Sequence, residues 1–313
     1  MENKSTDIKN SEKFEFVKLD TIASEKIDAP RYSYWHAVSR QFFSSKVAIG
    51  MLILLMIIMG FSFIQPMFSN YNFMDTETIN DFGARYNEPS LKHWFGTDAN
   101  GQSLFNVVWA GARTSIAVGI LATLINTIIG VIVGAIWGSS KAVDKVMIEI
   151  YNVVSNVPVL LIVIMLSYAF GSGFWNLLFA MCATSWISTA YFIRLQVMIR
   201  RDSEYNLASK ALGTRSVRLI TRNILPYLIS VIVTDVSRSM PSFISYEVFL
   251  SYLGVGLSAD VPSLGRVIAK YTSNITNYPY LFWIPVTVLA LVTVSMYIVG
   301  QSLADASDPR THR

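Results

Sequence analysis

Between residues 114 and 137 the chain carries no charged side chain. A helix rising ~1.5 Å per residue over such a run crosses the ~30 Å hydrocarbon core of a bilayer. Five further apolar runs of similar length stand at 47–64, 150–170, 174–193, 226–249 and 281–303. The run at 226–249 is the least pure, since it contains Asp235, Arg238 and Glu247, but Ile224 to Val233 is strongly apolar and an even number of crossings needs it. Composition agrees: 15% of residues are charged, against about a quarter in an ordinary soluble domain. The expected fold class is therefore all-α, a polytopic membrane protein with six transmembrane helices.

The net charge of +4 is not a nucleic-acid signature, because the basic residues gather beside span ends, as they do in cytoplasmic loops. Arg194, Arg200, Arg201, Lys210, Arg215, Arg218 and Arg222 crowd the segment between the fourth and fifth runs, whereas the segment between the first two holds Arg85 and Lys92. The first of these segments is thus expected inside and the second outside, with both termini cytoplasmic; Arg31, Arg40 and Lys46 before the first run agree. Residues 1–46 carry eight Lys or Arg against seven Asp or Glu and lack the apolar core of a signal peptide, which reads as a partly disordered tail. The outer segment is punctuated by Asn70, Pro89 and Gly101, as in a folded loop. Cys182 is the one cysteine, so no intrachain disulfide forms.

Gly111, Ser115 and Gly119, then Gly130, Gly134 and Gly138, recur at fourfold spacing in the second run. Small residues in such a stripe let a second helix approach closely, and close packing is what associates helices in lipid. Pro158, Pro241 and Pro285 fall inside or beside runs, where each frees a backbone carbonyl and favours a bend.

Residues 204–226 read "EYNLASKALGTRSVRLITRNILP", a polar, basic stretch between two apolar runs. Asp202 or Ser203 can cap a short helix with Tyr205, Ala208 and Leu212 on one face, and Gly213 stands where a left-handed terminating residue belongs. A second helix with Val217, Ile220 and Ile224 on a face follows, so the pair forms an elbow. The small side chains of Ala208, Ser209 and Ala211 suit insertion into a groove on a partner. The arginines equally suit a helix lying on anionic headgroups, and the residues by themselves leave both readings open.

This segment resembles the "EAA" loop of ABC importer permeases, whose pattern is Glu-Ala-Ala, three residues, Gly, and then an apolar-Leu-Pro. Here it reads Leu207, Ala208, Ser209, Gly213 and Ile224, Leu225, Pro226, with leucine at the glutamate position and Glu204 one turn earlier. "FGTDANGQS" from Phe95, "AGARTSIAVG" from Ala110, "YEVFLSYLGVGL" from Tyr246 and "PSLG" from Pro262 are similar to further signatures of the C-type permease subunit of dipeptide and oligopeptide transporters. Gln102 and Ser103 stand where that family carries Arg-Asp.

The resemblance implies a type I ABC importer permease fold in a bacterial cell membrane. The chain then divides into a cytoplasmic tail (1–46), a first transmembrane helix (47–65), an extracytoplasmic loop (66–110), a five-helix core (111–304) and a cytoplasmic carboxy-terminal tail (305–313). Within the core, the segment 194–225 is implied to couple the permease to ATPases, with Glu204, Tyr205, Leu207, Ala208, Ser209, Ala211, Leu212 and Gly213 as contacts. The implied partners are a second, B-type permease, two cytoplasmic ATPase subunits, an extracytoplasmic peptide-binding protein and membrane lipid. No Gly-Lys dipeptide occurs, so the phosphate-cradling loop of a nucleotide site is absent. The chain itself is then no enzyme and binds no cofactor; ATP and Mg would be held by the partner ATPases.

Ionisable groups in a span are expensive and face protein or water. Asp235 and Arg238, at i and i+3, can pair on one helix face, as wall of a peptide path or as a lock between two permeases; Arg113 and Glu247 carry the same ambiguity. A dipeptide or nickel importer shares these signatures. A proton-coupled transporter would rely on Asp235, which Arg238 one turn away would hold ionised. A membrane enzyme is disfavoured, since His36, His93 and His312 fall in tail or loop and form no HExxH motif.

Overall fold

The computed structural model describes residues 34–69, 82–258 and 260–308. The amino-terminal tail up to residue 33 with Arg31, the loop residues 70–81 with Asn70, and the carboxy-terminal residues 309–313 with His312 lie outside the described residues.

Ten helices order the described chain: α1 Tyr34–Ser44, α2 Lys46–Phe68, α3 Leu104–Ser139, α4 Lys141–Ser155, α5 Val159–Phe170, α6 Phe174–Arg201, α7 Glu204–Ala211, α8 Ile229–Tyr252, α9 Leu264–Tyr271 and α10 Pro279–Ser307. Five spans are long and apolar enough to cross a membrane by themselves, one of them α8 together with its lead-in from Ser216. The third expected span is not a straight rod. Its residues belong to α4 and α5, which meet at 81°, so the pair makes a sixth crossing if the two halves count as one. Pro158 stands at the N-cap of α5 with extended ψ, where its ring cannot continue a helix, and α4 starts nine residues before the apolar run.

Several helices outrun the apolar stretches that announce them. α3 begins at Leu104 and α2 continues through Pro66 to Phe68, so the two ends of the loop expected over 66–110 are helical. Part of the tail expected over 1–46 is also helical: Val38 and Phe42, one turn apart on α1, are buried against Ala48 and Ala306, and the Tyr34 hydroxyl donates to the Ser307 carbonyl at 2.9 Å.

α3 is the axis of the bundle. Toward its carboxy terminus, Gly130, Gly134 and Gly138 meet α6 so closely that an added Cβ would stand 2.5 Å from Thr189 Cγ2, 2.5 Å from the Ala190 carbonyl and 2.7 Å from the Arg194 carbonyl. Toward its amino terminus, Gly111 faces Ser263 at the start of α9 and Gly119 faces Ile244 of α8. The spacing of small residues thus marks two interfaces.

At the end of the bundle opposite α7, the Asp98 carboxylate is fully buried. Its Oδ1 accepts from the backbone of Asn100 and Gln102 at 2.8 and 2.9 Å, and its Oδ2 accepts from Tyr271 Oη at 2.5 Å and Lys270 Nζ at 3.1 Å. The "GTDANG" stretch is therefore a loop nucleus stapled to α9, with Gly96 and Gly101 in the left-handed region to let the turns close.

Candidate functional site

α7 projects from the end of α6 with most of its surface uncovered. Glu204, Tyr205, Leu207, Ala208, Ala211, Leu212 and Gly213 are exposed and Ser209 is half-buried; Leu212 is 88% exposed, which for a leucine leaves nearly the whole side chain unpartnered. Its start is not capped by a side chain. Ser203 occupies the N-cap, but its hydroxyl donates back to the Arg200 carbonyl. Asp202 is engaged by the Arg201 guanidinium, whose hydrogen bonds hold that carboxyl below the ordinary aspartate value.

The other end of α7 closes as the position of Gly213 suggests. Gly213 has φ +85°, its N–H donates to the Lys210 carbonyl at 3.0 Å, and the Thr214 N–H donates to the Ser209 carbonyl at 3.1 Å. This pair of bonds is a Schellman termination, satisfying two carbonyls that the helix leaves open.

The helix expected after Gly213 takes another form. Ser216–Arg218 is a single α-turn, Leu219–Ile224 is a π-helix and Leu225–Leu228 is a 3-10 turn. Pro226 explains part of this, because it offers no N–H to an upstream carbonyl and the chain re-registers around it. The π geometry also moves the inward face. Leu219 and Ile224, five apart, are buried, whereas Val217 is 73% exposed and Ile220 partly so.

Sequence periodicity does not single out the residue that fastens α7. Asn206 is its buried residue, 0% exposed. Its amide donates to the Arg200 carbonyl at 2.8 Å and its carbonyl oxygen accepts from Asn223 at 3.2 Å, tying α7 to both α6 and the π segment. Asn206→Leu strands those groups, a cost of ~1–3 kcal/mol. The expected outcome is faster amide hydrogen exchange across 204–213 with the rest of the bundle unchanged; unaltered exchange there would dismiss the anchor.

Asp235 and Arg238 line one cavity of about 560 Å³ between α6 and α8, but among the described residues they form no ion pair. The pairing expected from their spacing is therefore corrected. Around them stand the hydroxyls of Ser185, Ser188, Thr189, Thr234, Ser239 and Ser242. Arg238 also borders a cavity of about 620 Å³ toward the α7 end, with Gln196, Arg200 and Asp305, and a third with Ser245 and Tyr297. Such a wall can hydrogen-bond a passing polar backbone and offers a cation and an acid for charged groups.

Glu247 and Arg113 lie elsewhere. Glu247 is fully buried and accepts from Ser251 at 2.6 Å, with Ser115 of α3 and Ser263 before α9 beside it; it lines none of these three cavities. Arg113 is exposed on α3, away from them as well. Among the described residues, no three His, Cys, Asp or Glu side chains gather as a metal site.

Comparison with known proteins places this geometry in context. A family model of the binding-protein-dependent transport system inner membrane component matches residues 127–313, and one of the N-terminal TM domain of oligopeptide transport permease C matches residues 33–89. The oligopeptide transport system permease protein AmiD of Streptococcus pneumoniae is 58% identical, covering 97% of this chain and 99% of its own length. The oligopeptide permease OppC of Bacillus subtilis is 34% identical over 96% of this chain and 97% of its own. The dipeptide permease DppC of the same organism is 31% identical over 93% and 90%.

Proposed function

We propose, from the premise that this chain belongs to the family of binding-protein-dependent transport system inner membrane components, that it is one permease subunit of an ATP-driven oligopeptide importer. It forms half of the path, and a homologous B-type permease forms the other half. Two cytoplasmic ATPase subunits hold ATP and Mg and seat on α7, and an extracytoplasmic peptide-binding protein delivers the substrate to the Asp98 end. The basic cluster beside α7 favours placing that end, and both termini, in the cytoplasm, with α4 and α5 together making one crossing.

The observation that carries the coupling role is the exposure of Tyr205, Leu207 and Leu212 on a short helix pinned through Asn206. Apolar side chains left uncovered on a rigid projection suit a groove on a partner, read as anchors spaced along a helix. With Cys182→Ser as background, Ala208→Cys is expected to crosslink to an ATPase subunit in the assembled importer. Import without any such adduct would end this assignment.

The path is assigned to the hydroxyl-lined cavity. A wall of serine and threonine solvates peptide groups with little regard to side chain, and Arg238, reaching three cavities, meets the carbonyls or carboxylate of a peptide in transit. Loss of a hydrogen bond from a charged donor costs ~1.5–3 kcal/mol, so Arg238→Ala is expected to lower uptake about tenfold or more with the amount of assembled complex unchanged. Wild-type uptake by that variant removes Arg238 from the path.

A further inference from the structure

Where α3 ends and α4 begins, four groups converge. Asp144, in the first turn of α4, receives the Arg194 guanidinium through Nε on one carboxylate oxygen and Nη2 on the other, the latter at 3.1 Å. Trp137 of α3, fully buried, donates its indole N–H to the same carboxylate at 2.8 Å. The guanidinium lies 5.4 Å from the ring centres of both Trp137 and Tyr191. Two turns along α4, Tyr151 stacks on Tyr191 at 4.2 Å and 10°.

Every residue of α4 stays at least partly exposed, so its hold on the bundle depends on this one face, Asp144 and Tyr151 at i and i+7. The same level carries the Gly138 contact with the Arg194 carbonyl, and Arg201 donates to the Gly138 carbonyl at 3.0 Å. Just beyond, Asn206 ties α7 to the Arg200 carbonyl. A continuous set of contacts therefore runs from α7 through the end of α6 into α3 and α4. The route from α7 to α8 passes instead through the π and 3-10 turns.

We infer that Asp144 and Arg194 are positioning residues for coupling: their bidentate pair makes the ends of α3, α4 and α6 one rigid body, so that displacement of α7 moves the path wall. The inference rests on the coupling role proposed for α7. A bidentate arginine–carboxylate pair with aromatic faces on the guanidinium has one preferred geometry, which a flexible contact lacks. The Arg194 side chain is 11% exposed and that of Asp144 26%, so the pair is partly sheltered from solvent.

The test uses the full importer reconstituted with its ATPases, reading peptide imported per ATP hydrolysed, a ratio that the quantity of folded complex does not move. The apolar double replacement Asp144→Leu with Arg194→Met removes both charges together and leaves neither unpaired. The ratio is expected to fall about tenfold, within the usual span of coupling between sites, while the Ala208→Cys crosslink to the ATPase persists. An unchanged ratio with that crosslink intact overturns the inference and spares the coupling role; loss of the crosslink from the parent protein overturns both.

Should the double variant fail to assemble, the parent complex answers by spin labels at Lys145→Cys on α4 and Ile199→Cys on α6, both exposed positions. Their separation is expected to be the same without nucleotide and with ATP bound. A separation that changes between the two states shows that α4 and α6 do not move together, and the inference falls.

Discussion

A Gly213→Pro chain inserts and assembles like its parent but imports almost no peptide. The local geometry makes this a backbone effect alone, since a side chain at residue 213 would meet nothing within 4 Å. Proline holds φ near −65°, whereas Gly213 sits at +85°, and proline also deletes the N–H that donates to Lys210. The Schellman closure then cannot form, and the chain leaves α7 toward Thr214 in a different direction. Leu212 and Ala208 are displaced from the groove they are proposed to fill, while the spans, whose packing lies elsewhere, are untouched. Import is expected to drop at least tenfold, ~1.4 kcal/mol of coupling. Asn, which tolerates the left-handed region, is expected to lose least, and Ala an intermediate amount at ~1–2 kcal/mol of strain. Uptake by Gly213→Pro equal to the parent's would falsify the elbow, as would an order in which Asn does worse than Pro.

What could be seen in the sequence follows from what each signal measures. Uncharged runs locate spans but stop at the first charge, so they undershoot helices that continue past one, as α3 does on the amino-terminal side of Arg113 and α6 from Arg194 to Arg201. α4 stays hidden from that signal because Lys141, Asp144, Lys145 and Glu149 break the apolar pattern, and its amphipathic face becomes informative once Trp137 and Arg194 are known to lie against it. Gly213 was legible since one residue type suits one backbone conformation. Asn206 was not: its partners lie six and seventeen residues away, and no helical period joins them. The Asp235 and Arg238 spacing permits a pair, yet residue spacing along one helix says nothing of the neighbouring hydroxyls from α6 that share their cavity.

Gly134→Leu is expected to abolish the folded bundle, and the reason lies in how the glycine stripe winds. With 3.6 residues per turn, each fourfold step advances ~40° around the helix, so from Gly111 to Gly138 the stripe turns about half a circle. Its first part therefore faces α8 and α9 and its last part faces α6, as the contacts of Gly119 and Gly134 show. At Gly134 the obstructing atoms are the Ala190 carbonyl at 2.5 Å and Ile193 Cβ at 2.8 Å, backbone and branch point, neither of which swings aside. A leucine there must part α3 from α6, lifting Gly130 and Gly138 out of contact too and pulling Arg194 from Asp144. Overpacking at one site costs ~1–3 kcal/mol, and lost contacts over about two turns add to it, with no expulsion of water to press the helices back together in lipid. The yield of monodisperse protein in mild detergent is expected to collapse. Gly50→Leu in α2, where an added side chain meets nothing within 4 Å, is the control and should retain the parent yield. Equal yields from the two variants would mean that α3 and α6 are not held by close backbone approach.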